Sequence, residues 1–113
     1  MLGSFMAELG PKHIQCLERL AGAGFAIVAF PMYASAIGVR KENCAALLEP
    51  LPDGRFHLVG SPCYLVEGNL SVRVRDARGE WFVWKSKRVE ATSERLSEVE
   101  RFTGEIMASL SSA

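Results

Sequence analysis

Apolar positions recur at two different periods along this chain, and the changes of period divide it into elements. Ile14, Leu17, Leu20 and Ala21 fall three to four residues apart, the spacing of one helix face. Gly10-Pro11 precedes them, with Pro11 at the first helical position, where its missing N–H costs nothing. Gly22 or Gly24 then closes the helix as a left-handed cap. Helical spacing returns only near the C-terminus. There Leu96, Val99, Phe102, Thr103, Ile106, Met107 and Leu110 make a broad stripe, with Arg95, Glu98, Arg101 and Glu105 mostly on the solvent side. Thr92 is the N-cap, and Glu94 in the first turn suits the helix dipole.

Between the two helices the apolar runs are short and punctuated by turn residues. Residues 25–30 read as a buried strand ended by Pro31, and 34–40 as another. Arg40-Lys41-Glu42-Asn43 is a polar turn, followed by a strand over 44–48 that Pro50 and Pro52-Asp53-Gly54 close. Residues 55–59 alternate, Ser61-Pro62 breaks the chain, 63–66 is short, and Glu67-Gly68-Asn69 turns it again. Such spacing predicts an antiparallel meander, not βαβ units.

The segment 70–86 is a hairpin, and its register can be argued. A three-residue loop, Ala77-Arg78-Gly79, pairs Asp76 with Glu80, Arg75 with Trp81, Val74 with Phe82, Arg73 with Val83 and Val72 with Trp84. One face is then Leu70, Val72, Val74, Phe82 and Trp84, a core. The other is Ser71, Arg73, Arg75, Trp81, Val83 and Lys85. A two-residue loop would mix the arginines with Phe82 and Trp84, so the cleaner partition selects the longer loop. The like charges of Asp76 and Glu80 at the hairpin mouth count against it.

The predicted fold class is therefore α+β: an N-terminal helix, an antiparallel meander of five to seven short strands, and a C-terminal helix docked on the sheet. The sheet is either open and twisted or a half-open barrel. The 113 residues suit one domain spanning 1–113, with 1–9 a flexible or short helical N-terminal segment. Thirteen basic residues balance thirteen acidic ones, so no global field draws the chain to a polyanion or an anionic membrane. Leu20 to Val39 carries no charge over twenty residues, long enough for a bilayer. Its three glycines, six alanines and Pro31 favour core strands instead, and no membrane association is expected. The three cysteines, Cys16, Cys44 and Cys63, are odd in number and widely spaced, and no basic leader opens the chain. These features predict reduced thiols and a cytoplasmic protein.

No catalytic, metal or nucleotide signature is present, so no cofactor, metal or catalytic residue is assigned. His13 and Cys16 lie three apart on the first helix, and His57, Cys44 and Cys63 complete a set of soft ligands, but none has paired metal-site spacing. A helical Cys16 without an orienting third residue gains little thiolate character. The hairpin face is the best candidate for binding, through Arg73, Arg75, Trp81, Val83 and Lys85. Residues 70–90 hold six basic residues against three acidic ones. That composition suits single-stranded nucleic acid over 71–88, with Trp81 stacking bases. A plainer reading has Arg75 lying over Trp81 as a cation–π pair on a solvated strand. The apolar supply, 49% of residues, exceeds what a small two-layer fold hides easily, and leftover patches make interfaces. The expectation is a non-catalytic protein-interaction or ligand-binding module that self-associates as a homodimer. A different protein partner and nucleic acid are the alternatives.

Overall fold

The computed structural model describes residues 9–30, 33 and 35–111. The expected N-terminal segment thus lies outside the described residues, Leu9 excepted. Helix α1 (Pro11–Gly22) starts where Pro11 places it and buries His13, Cys16 and Leu20. It ends in a paired-bond cap: Phe25 N donates to Leu20 O at 3.0 Å and Gly24 N to Ala21 O at 3.1 Å, with Gly24 at φ +96°. Phe25 and Leu20, which close that cap, share the core cluster. Helix α2 (Ser93–Ser111) is capped by Thr92, whose hydroxyl accepts from Arg95 N at 3.3 Å, and it buries Phe102 and Ile106.

Among the described residues seven strands lie between the helices, in two sheets that do not close into a barrel. The first runs β1 (Ala26–Val28), β2 (Ile37–Lys41), β3 (Cys44–Pro50) and β4 (Phe56–Tyr64), each antiparallel to the next. The second is β5 (Val72–Asp76), β6 (Gly79–Trp84) and β7 (Lys87–Glu90). The uncharged stretch from Leu20 to Val39 thus supplies the end of α1, β1 and most of β2. No described helix is long and apolar enough to cross a membrane.

Ser61-Pro62 does not break the chain as expected. It belongs to a bulge inside β4: Ala45 pairs with Cys63 but Leu47 with Val59, so Gly60, Ser61 and Pro62 oppose Ala46 alone. Gly60 takes φ +66°, and Pro62 has no N–H to leave unpaired. The bend lets one strand replace two predicted ones. Strand β7 was hidden from the periodicity because Lys87-Arg88-Val89-Glu90 has one apolar residue.

The main core lies between the four-stranded sheet and the two helices. Cys16, Leu20, Val39, Cys44, Leu48 and Ile106 are among its buried members. On the other face Phe30 lies against Gly38, where a Cβ would stand 2.6 Å from the ring. A smaller cluster of Val66, Phe82 and Ala91 anchors the second sheet. Tyr64 and Val99 pack against both clusters and join them. The molecule measures 47 × 29 × 19 Å, and its radius of gyration of 14.8 Å exceeds the ~13 Å of a compact chain this long.

Candidate functional site

The hairpin register differs from the expected one by one residue. Asp76 pairs with Gly79, Arg75 with Glu80, Val74 with Trp81, Arg73 with Phe82 and Val72 with Val83, around a two-residue turn Ala77-Arg78. Electrostatics overrides the apolar partition. The expected register opposes Asp76 to Glu80, whereas the observed one sets Glu80 between two arginines. Its carboxylate accepts from Arg73 Nε at 2.7 Å and Arg75 Nη2 at 3.2 Å. Those bonds, Arg73 first, hold the Glu80 carboxyl below its ordinary range. Asp76 Oδ1 accepts from Arg78 N at 2.8 Å, an Asx turn, and from Trp81 Nε1 at 3.2 Å. The same bonds, the Arg78 backbone first, draw the Asp76 carboxyl down.

The shift redistributes the five predicted residues. Arg73 and Arg75 share a face with Phe82, which is buried and stacks on Tyr64 at 5.4 Å between centroids. Trp81 and Val83 lie on the opposite, outer face with Val72 and Val74. Lys85 leaves the strand for the β6–β7 turn at φ +54°, its ammonium 5.1 Å from the Trp84 ring. The cation over Trp81 is Arg88, at 4.2 Å, and not Arg75. Sequence reasoning missed Arg88 because β7 was not foreseen. The outer face thus carries Val72, Val74, Trp81 and Val83, with Val72 67% and Val74 40% exposed, beside the 3.9 Å pair Arg88–Asp76.

Most of the local cationic surplus is matched within the chain. Glu80 holds Arg73 and Arg75, Asp76 holds Arg88, and Glu67 lies 3.8 Å from Lys87.

His13 and the three cysteines are held in the interior. His13 is buried, and its two ring nitrogens are occupied: Nδ1 accepts from Gly10 N at 2.9 Å, so Nε2 carries the proton and donates to Leu51 O at 2.8 Å. It has no lone pair for Cys16. Burial pushes the Cys44 thiol up to about 12, with Glu98 adding to the rise, and burial also raises Cys16 and Cys63. All three thiols are unpaired. Among the described residues no three His, Cys, Asp or Glu side chains gather as metal ligands.

A second feature was not legible in the sequence. A groove of about 1030 Å³ runs between α1, the β3–β4 turn, the start of β4 and the last turns of α2. Its floor includes Cys16, Leu51, Phe56, Leu58, Met107 and Leu110, and its rim Lys12, Arg19, Arg55, His57 and Asp53. Gly54 at φ +92° brings the turn against α1, since a Cβ there would meet Lys12 Cβ at 2.7 Å. Comparison with protein-family models, with curated proteins and with solved structures finds no match.

Proposed function

We propose that this chain is a non-catalytic interaction module that self-associates through the outer face of the β5–β7 sheet. The observation that carries the reading is the apolar group Val72, Val74, Trp81 and Val83 on that face, the first two exposed and the last two half-buried. The face is self-complementary: a twofold axis near Trp81 lets Arg88 of one copy meet Asp76 of its neighbour, and the pair is neutral as a unit. The open edge of β5 is a poorer route. A twofold pairing centred on residue 73, 74 or 75 sets an arginine opposite an arginine every time, a guarded edge.

Five residues by three strands cover ~17 × ~14 Å. That is well under the ~800 Å² per partner of a stable interface, so the dimer is transient and concentration-dependent. Three unpaired, buried thiols fit a reducing, cytoplasmic setting. The nucleic-acid alternative has less support, because four of the six cations in 71–88 already have carboxylate partners.

Sedimentation velocity from about 10 µM to about 1 mM tests the reading. The wild-type weight-average mass rises toward a dimer and the Val72→Lys variant stays monomeric. A wild type that stays monomeric throughout, or a Val72→Lys dimer of unchanged strength, refutes it. Oligonucleotide binding that falls steeply with salt would replace it with the nucleic-acid reading.

A further inference from the structure

We propose that the groove between α1 and the end of α2 binds a single-chain anionic amphiphile, a free long-chain carboxylic acid. Three features of the groove converge on that chemistry. Its volume, about 1030 Å³, lies at the upper end of small-molecule sites. Its floor is apolar, and Met107, 46% exposed there, is an unbranched, adaptable side chain suited to a flexible alkyl chain.

The charge at the rim supplies the complement. The chain as a whole is neutral, but this rim bears Lys12, Arg19 and Arg55 against one carboxylate, Asp53. That carboxylate pairs with Arg55, accepting from its Nε at 2.7 Å and its backbone N at 3.0 Å, so the cationic surplus of the rim rests on Lys12 and Arg19. Lys12 and Arg19 stand seven residues apart on α1, about two turns, so the rim stays cationic along the helix. Lys12 is in the first turn of α1, where the helix dipole adds positive potential. At the other end Ser111 closes α2, whose terminal carbonyls repel an anion. The carboxylate head therefore belongs beside Lys12, with the alkyl chain over Leu58, Met107 and Leu110. A buried His13 fixes the wall by tying the first turn of α1 to Leu51, so the groove is preorganised.

The probe is laurate below its micellar concentration, titrated into the whole 15N-labelled chain and read by amide shifts. Dodecanol, dodecyltrimethylammonium and an acidic amphipathic peptide are titrated in parallel. The expected result is saturable laurate binding with shifts confined to 12–19, 51–58 and 107–111. Dodecanol binds about tenfold more weakly, and the Lys12→Gln, Arg19→Gln double variant loses about the same factor for laurate alone. Met107→Asp, at a surface-exposed position, abolishes laurate binding with the fold intact. The proposal is overturned by any of three results. These are no saturable shift with laurate, equal binding of the cationic detergent, or peptide binding in the groove without laurate binding.

Discussion

His13 offers the sharpest test of how this fold is held. At 3% exposure it is the one buried polar side chain among the described residues. Its ring bridges two chain segments 38 residues apart: Gly10 N donates to Nδ1 at 2.9 Å, and Nε2 donates to Leu51 O at 2.8 Å. The ring edge also meets Phe56, with centroids 5.1 Å apart. His13→Ala removes both hydrogen bonds, each worth about 0.5–1.5 kcal/mol net, together with the ring contact. The expected loss is about 2–4 kcal/mol, a large share of the ~5–15 kcal/mol of a whole domain. The melting temperature falls by about 8–16 °C, at ~4 °C per kcal/mol. His13→Gln separates the two bonds. His13 is the third residue of α1, the position from which glutamine reaches back to the N-cap N–H, so the Gly10 bond survives. Gln should recover about 1 kcal/mol over Ala. The assay is urea unfolding followed by tryptophan fluorescence. Equal loss in the two variants, or a loss below about 1 kcal/mol for Ala, refutes the bridging role.

Other perturbations follow from the same contacts. The Asp76 and Glu80 carboxyls titrate below their ordinary 3.8 and 4.5, so the bonds they accept are complete above those values and drain away as pH falls through the lowered ones. The Trp81 indole N–H resonance should therefore hold steady down to pH 3.8 and move below it, and a shift centred near neutrality would contradict the assignment. Cys44, pushed up to about 12, and the two other buried thiols should resist an aromatic disulfide reagent at pH 8 and react together in denaturant. Prompt reaction of Cys44 in the folded protein would show that its strand opens. Gly38→Ala forces a Cβ to 2.6 Å from the Phe30 ring and 2.7 Å from Val28 O, and should cost about 1–3 kcal/mol. A neutral Gly38→Ala in the same unfolding assay would mean that Phe30 moves aside freely.

Local signals were read well where one segment decides its own structure. Gly10-Pro11, Gly24 and Thr92 bound the two helices as their cap chemistry requires. Turn residues located the ends of β2 and β3. The failures share a different cause. Gly60-Ser61-Pro62 looked like a break because a bulge is defined by the partner strand, which periodicity does not see. The hairpin register was decided by Glu80 meeting Arg73 and Arg75, against a tidier apolar partition. A polar residue's partners outweighed the sorting of Val72 and Val74, which the fold leaves exposed. The groove was invisible for the same reason, since Lys12 meets Gly54 only after long-range folding.

That register also changes what the arginines are for. In the expected pairing Arg73 and Arg75 flank Trp81 and advertise a polyanion site. In the observed pairing they sit with Phe82 and are held by Glu80, at the rim of the small core. On the exposed strand β5 they then block edge-to-edge growth, because every central twofold register opposes like charges. With the β5 edge guarded in this way, the proposed contact falls on the outer face. There Val72, Val74, Trp81 and Val83 remain, with Arg88 over the indole. Reversing the charge in the turn, Arg78→Glu, should leave association unchanged, whereas a charge at Val72 should end it. The contrast separates a face-to-face contact from a general electrostatic one.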